Sequence, residues 1–133
     1  MKAISARVTR GLNIGAIVNV ADNSGAKIAK IVSIKRGKTT KGRQGYAKVS
    51  DWVKISVKKG TPEVKGKVFD AVVVRQKKPY RRLTGERIMF EDNAVVLLKD
   101  DKGNPKGTQI KGPIAREVLE RWQTVAKLAT FVY

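Results

Sequence analysis

The 133-residue sequence contains no cysteine and no histidine. Without cysteine there is no disulfide and no thiolate metal site. Without histidine the chain lacks the usual general base and the commonest metal ligand. Aromatic residues make up only 6%, too few for a surface that reads single strands by stacking bases on several rings. No stretch approaches the roughly 20 apolar residues of a membrane-crossing helix. There is no basic amphipathic stripe suited to an anionic membrane, and the start, Met1 to Arg7, lacks a signal peptide's apolar run. These readings predict a cytoplasmic protein with no cofactor, no metal and no membrane partner.

Negative charge is the next scarcity. Eleven acidic residues face 29 basic ones, for a net charge of +18 and a pI near 10.5. A folded domain with that imbalance repels itself, and a polyanion relieves the repulsion. Nucleic acid is the commonest such partner. The hydrophobic fraction, 41%, is that of a chain with a core, not of a disordered basic tail. The charge is also divided along the chain. Residues 1–82 carry 21 basic and 4 acidic side chains, and residues 83–133 carry 8 and 7. The first stretch is suited to a polyanion and the last to other proteins.

Short apolar runs alternate with turn signals up to residue 110. Ile14 to Val20 and Ala26 to Ile34, joined by Asp22-Asn23-Ser24-Gly25, predict a hairpin. Residues 35–48 are basic and glycine-punctuated, a long loop or a flexible hairpin arm. Val53, Ile55 and Val57 alternate with polar residues, as in a strand with one wet face. Val68 to Val74 is nearly continuous apolar, which predicts a central strand. Ile88 to Phe90 and Ala94 to Leu98 flank Glu91-Asp92-Asn93 as a second hairpin-like pair. Gly112-Pro113 predicts a helix start. Ile114, Val118, Leu119, Trp122, Val125, Ala126 and Ala129 follow at helical spacing, with Glu117 and Arg121 as an i,i+4 pair. The expected core includes Ile17, Val32, Ile55, Val57, Val73, Leu97, Val118 and Trp122. The pattern predicts one domain over 1–133, mainly β, a small barrel with basic loops in 1–111 and a helical appendage in 112–133.

Two catalytic patterns fail on inspection. Gly37-Lys38-Thr39 resembles the end of a phosphate-binding P-loop, but the required earlier glycine is Val32. Glu91-Asp92 and Asp100-Asp101 are adjacent carboxylates in expected turns, where such residues serve the backbone. With no histidine to activate a hydroxyl, an enzyme is not expected. The functional reading rests on cations. Arg7 and Arg10 open the chain. Lys35, Arg36, Lys38, Lys41 and Arg43 form one group, Lys58, Lys59, Lys65 and Lys67 a second. Arg75, Lys77, Lys78, Arg81 and Arg82 form a third, with Tyr80 among them. Cations on loops neutralise phosphates and release condensed counterions. With few free rings, binding should rest on phosphates and RNA shape. Arg116, Glu117, Glu120 and Arg121 are the expected protein-facing residues.

Several blocks are also similar to a known family. They are Ala21-Asp22-Asn23-Ser24-Gly25-Ala26-Lys27, Val57-Lys58-Lys59-Gly60 with Pro62, Ala71 to Lys78 with Tyr80-Arg81-Arg82, Phe90-Glu91-Asp92-Asn93-Ala94, and Lys106-Gly107-Thr108 with Ile110 and Gly112-Pro113. In this order, over roughly residues 12–130, they resemble the universal large-subunit ribosomal protein family numbered fourteen, in its archaeal and eukaryotic style. The resemblance implies a closed five-stranded barrel, a projecting β-ribbon and short C-terminal helices. It implies large-subunit ribosomal RNA, an intersubunit bridge to small-subunit ribosomal RNA and neighbouring ribosomal proteins as partners. It also implies docking of the anti-association initiation factor six near the C-terminal part. The chain departs from the family at Ser50-Asp51, where Gly-Asp is frequent, and at Tyr46 to Val49. The alternatives from other classes are a free-standing RNA-binding or chaperone barrel, which calls for exposed aromatics on strands, and an enzyme acting on RNA.

Overall fold

The computed structural model describes residues 3, 4, 6–35 and 40–133. Five strands close a barrel. They are β2 (Ile17–Val20), β3 (Ala26–Ile34), β5 (Trp52–Gly60), β6 (Val68–Arg75) and β9 (Ala94–Leu97), in that order around the ring. Neighbours are antiparallel except β2 and β9, which meet in parallel at the seam. The expected hairpin is β2–β3, and Gly25 turns it at φ +100°, where a side chain would be strained. Asp22 in the same turn closes the seam. Its carboxylate accepts the Leu97 N–H at 3.0 Å and the Ser24 hydroxyl at 2.6 Å. The Asp-Asn-Ser-Gly block is therefore the lock of the barrel.

The remaining elements surround this ring. β1 (Leu12–Asn13) pairs with β4 (Tyr46–Ala47), β7 (Tyr80–Arg81) with β8 (Arg87–Ile88), and β10 (Ile110–Ile114) with β11 (Ala129–Val132). Two short helices, α1 (Arg116–Arg121) and α2 (Gln123–Ala126), lie between β10 and β11. Among the described residues, no helix is long and apolar enough to cross a membrane.

Two apolar clusters explain why β6 reads as a central strand. Ala71 and Val73 face the barrel interior with Val18, Ile31, Ile55, Val57 and Leu97. Val72 and Val74 face outward, where Ile114, Val118, Trp122 and Val125 cover them. All four β6 residues are fully buried. A strand covered on both faces loses its polar alternation, and each buried valine adds roughly 1.5–3 kcal/mol of hydrophobic stabilisation.

Several expectations are corrected. Ile17 and Val32 are 58% and 46% exposed. Successive strand side chains point to opposite faces, so Val18 and Ile31 take the inward places. Ile88 to Phe90 does not pair with Ala94 to Leu98. β8 pairs with β7, and β9 is recruited by β2 and β6. The helix begins after Ala115, not at Gly112-Pro113, which lies in β10. Tyr133 N–H donates to the Ile114 carbonyl as β11 runs parallel to β10, so Ala129 is in a strand and not on a helical face. Within 35–48, Tyr46 and Ala47 form β4, while the Arg36 to Thr39 part of that reading, including Gly37-Lys38-Thr39, lies outside the described residues.

The departure at Ser50 has a local cause. Ser50 adopts φ +73°, a conformation that favours glycine. It is fully buried, and its hydroxyl donates to the Glu117 carbonyl at 3.2 Å. Its own carbonyl accepts the Trp122 indole N–H at 2.9 Å. The serine thus fastens the 48–51 turn to α1 and to Trp122 at the junction of the two helices, which offsets part of the strain.

Candidate nucleic-acid interface

The second cationic group gathers at one end of the barrel. Lys58 and Lys59 end β5, and Lys65 and Lys67 lie in the connection to β6; all four are exposed. The connection is folded back on the strand. Gly66 N–H donates to the Val57 carbonyl, and Val57 N–H to the Lys67 carbonyl. The exposed Lys27 joins them, because its neighbours Ala26 and Ile28 pair with Gly60 and Lys59. Sequence reasoning missed Lys27. Its signal was the strand alternation of β3, in which Lys27 lies between buried Ala26 and half-buried Ile28.

A second surface forms from distant parts of the chain. Residues 7–11 lie across residues 76–78, with Val8 buried and Arg7, Arg10, Lys77 and Lys78 exposed. Lys35 stands at the root of the first basic loop. Its ammonium lies 4.9 Å from the Trp52 ring centroid, within cation–π range. Lys41 and Arg43 are exposed further along that loop, and Arg36 and Lys38 lie outside the described residues. Tyr46 is 50% exposed beside the loop.

Four expected surface residues are internal. Tyr80 is fully buried and donates its hydroxyl to Glu117 Oε2 at 2.8 Å. Arg82 donates to Glu117 Oε1 at 3.0 Å and to the Tyr133 carbonyl. Burial pushes the Tyr80 phenol up, and the Glu117 carboxylate pushes it further. Burial works against the Arg82 cation, yet its bond to Glu117 outweighs that and raises its pKa. Arg75 is also buried. It forks onto Asp92 at 2.8 and 3.2 Å and donates to the carbonyls of Lys111 and Pro113. Glu117, expected on a protein-facing surface with Arg121, instead holds Arg82, while Arg121 lies 3.5 Å from Asp51. Arg116 and Glu120 are exposed, and so is Arg81.

Of the carboxylates considered for catalysis, Asp92 and Asp100 have structural employment, and Glu91 and Asp101 are exposed. Asp100 accepts N–H bonds from Lys102 and Asn104 within its own loop. Among the described residues no group of three or more acidic side chains could hold a metal ion. Asp22 and Asp51 are raised by burial. Asp92 goes the other way: burial alone would raise it, but bonds from Arg75 and Asn19 hold it below its ordinary 3.8. A carboxyl depressed in the folded state gives stability that is full above its unfolded pKa and lost as pH falls through its folded one. Acidification below 3.8 is therefore expected to remove the Asp92 contribution. Asp22 and Asp51 act with the opposite sign, so the comparison is made residue by residue. Asp92→Asn should flatten the acid limb of melting temperature against pH, and an unaltered limb would show that the Arg75 clasp is not an acid-labile support.

On the C-terminal side an open groove of about 770 Å³ is lined by Met89, Phe90, Phe131 and Tyr133 beside Arg75 and Asp92. Met89, Phe131 and Tyr133 are each more than half exposed.

A closed barrel with exposed cations on its loop ends, and buried acids committed to holding the fold, defines a strongly basic structural β-barrel. The chain belongs to the family described as Ribosomal protein L14p/L23e, which matches residues 11–133. It is 55% identical over 132 residues to the large ribosomal subunit protein uL14 of Nanoarchaeum equitans, covering 99% of each chain. The uL14 protein of Halobacterium salinarum is 50% identical with the same coverage. That of Saccharolobus solfataricus is 51% identical over 125 residues, 94% of this chain and 90% of the relative. The family is one of structural ribosomal proteins, and the chain is not an enzyme. The archaeal relatives agree with the style of the resembling blocks.

Proposed function

We propose that this protein is a structural constituent of the large ribosomal subunit, acting as a single unit that holds folded ribosomal RNA by its phosphates. The observation that carries the RNA reading is the convergence of Lys27, Lys58, Lys59, Lys65 and Lys67 at one end of the barrel. Lys41, Arg43, Lys77, Lys78 and Arg81 extend the cationic surface. The scarcity of exposed rings favours phosphate and shape recognition over base stacking. Phe90 and Trp122 are buried, while the exposed rings among the described residues are Tyr46, Phe131 and Tyr133, of which only Tyr46 stands beside a basic loop; one such platform is fewer than a reader of single strands offers.

A different surface is proposed for protein contacts. The groove of Met89, Phe131 and Tyr133, next to exposed Arg116 and Glu120, is the surface we assign to neighbouring ribosomal proteins and to the anti-association initiation factor six. In this reading the protein works on cytoplasmic ribosomes, at the face of the large subunit that meets small-subunit ribosomal RNA. The test is sedimentation of the tagged protein from native extract through a density gradient at moderate and high salt. Stoichiometric comigration with large subunits and whole ribosomes, resistant to the salt wash, is the expected outcome. Sedimentation near the top, or trace association stripped by salt, would replace this reading with that of a free RNA-binding barrel.

A further inference from the structure

Gln76 is a polar side chain with no exposed surface. It directly follows β6, whose apolar run carries it into the protein. A buried amide must be bonded on both its donor and acceptor sides. The bonds of Gln76 reach two distant segments and its own. Its Oε1 accepts the Val49 N–H at 3.1 Å. Its Nε2 donates to the Thr9 carbonyl at 2.7 Å and to the Lys78 carbonyl at 3.0 Å. Thr9 lies 67 positions away in sequence.

The N-terminal segment is shaped to accept this seat. Val8 is buried in the outer apolar cluster, and Ile4 and Ala6 pack against it. Arg7, Thr9 and Arg10 remain exposed around Val8. Gly11 permits the close approach: a Cβ there would stand 2.8 Å from Lys78 Cβ and 3.1 Å from Gln76 Cδ. Four exposed cations, from opposite parts of the sequence, therefore flank one buried amide.

Resting on the RNA-binding reading above, we propose that Gln76 is a positioning residue. It seats the N-terminal segment beside Lys77 and Lys78, so that Arg7 and Arg10 engage phosphates of the same RNA as those lysines. Gln76 itself touches no RNA. Ordering the segment in advance removes an entropic cost that would otherwise fall on binding. A purely internal role for Gln76 would affect folding but leave the arginine contribution intact once folded.

The experiment uses the full chain and in vitro transcribed large-subunit ribosomal RNA, with affinity measured across a salt series. Four proteins are compared: the parent, Arg7→Ala with Arg10→Ala, Gln76→Met, and the combination. Losing both arginines should lower the slope of log affinity against log salt by about 1–2 units. Gln76→Met should produce the same reduction while its thermal melt stays cooperative, and the combination should lose nothing more. Gly11→Ala, which presses the segment away without removing the amide, should reproduce the Gln76→Met behaviour, and it carries the comparison if Gln76→Met does not fold. The inference is overturned if the arginine substitutions cost as much in the Gln76→Met or Gly11→Ala background as in the parent, or cost nothing in the parent. Absence of RNA binding by the parent would overturn the RNA reading, and this one with it.

Discussion

Replacing Glu117 with alanine is expected to lower the unfolding free energy by about 3–5 kcal/mol, the range for removing one partner of a buried ion pair. Arg82 and Glu117 side chains are only 7% and 4% exposed. The carboxylate receives Arg82 Nε on one oxygen and the Tyr80 hydroxyl on the other. Its removal leaves a buried cation with only the Tyr133 carbonyl and the Tyr80 oxygen, and a phenol without an acceptor. Because the three side chains tie β7, α1 and the end of β11 together, the loss should also loosen the groove at Phe131 and Tyr133. Urea unfolding of the isolated protein measures the effect. The control is Arg82→Met combined with Glu117→Leu, which removes both charges and should recover the part of the loss that comes from the unpaired cation, leaving the cost of the Tyr80 hydroxyl. A Glu117→Ala protein within 1 kcal/mol of the parent, on the scale of the typical point mutation, would show that the pair is not a clasp.

That clasp also marks where sequence reasoning stops. Arg75, Tyr80 and Arg82 stand in a run dense with lysine and arginine, and a run of charge reads as a solvated face. Nothing local separates Arg82, which is buried, from Arg81, which is exposed. The distinction is made by Glu117, 35 positions away, and by Asp92 for Arg75. Buried charges require partners, and partners supplied by tertiary contact leave no periodic signal. Gln76 was obscure for the same reason, since it acquires its role from Thr9 and Val49; Lys27 carried the alternation of β3 as a signal, and only its place beside Lys59 needed the pairing of β3 with β5.

The barrel was more legible. Its strands carry alternation where one face is wet and continuous apolar runs where both faces are covered, so β3, β5 and β6 could be placed closely. The partnership of β9 could not, because a closed ring is decided by which edges meet. Asp92 and Asn93 looked like a turn between two paired strands. They are instead a junction: Asn93 accepts the Lys77 N–H and passes its own carbonyl to Asn19, while Asp92 holds Arg75. The helical reading of residues 114–129 failed only at its ends. Gly112 at φ +78° and Pro113 belong to β10, and the parallel pairing with β11 draws Ala129 out of the helix.

The largest effect on RNA is expected from Lys58, Lys59, Lys65 and Lys67 changed together to alanine. If each lysine neutralises one phosphate, the slope of log affinity against log salt should fall by about 3–4 units. Variant and parent should converge near 1 M salt, where counterion release contributes little, so at about 0.1 M the four contacts correspond to roughly three orders of magnitude in affinity. Unfolding does not explain such a loss. All four lysines are exposed, and substitutions of this kind change stability by about 0.5 kcal/mol or less each. Relieving like-charge repulsion in a chain of net charge +18 works in favour of the folded state. Weakened binding with an unchanged or higher melting temperature is thus the signature of a lost contact surface. Affinity preserved at low salt would remove this end of the barrel from the interface and leave Lys41, Arg43 and the surface beside Gln76 as the places where RNA is held.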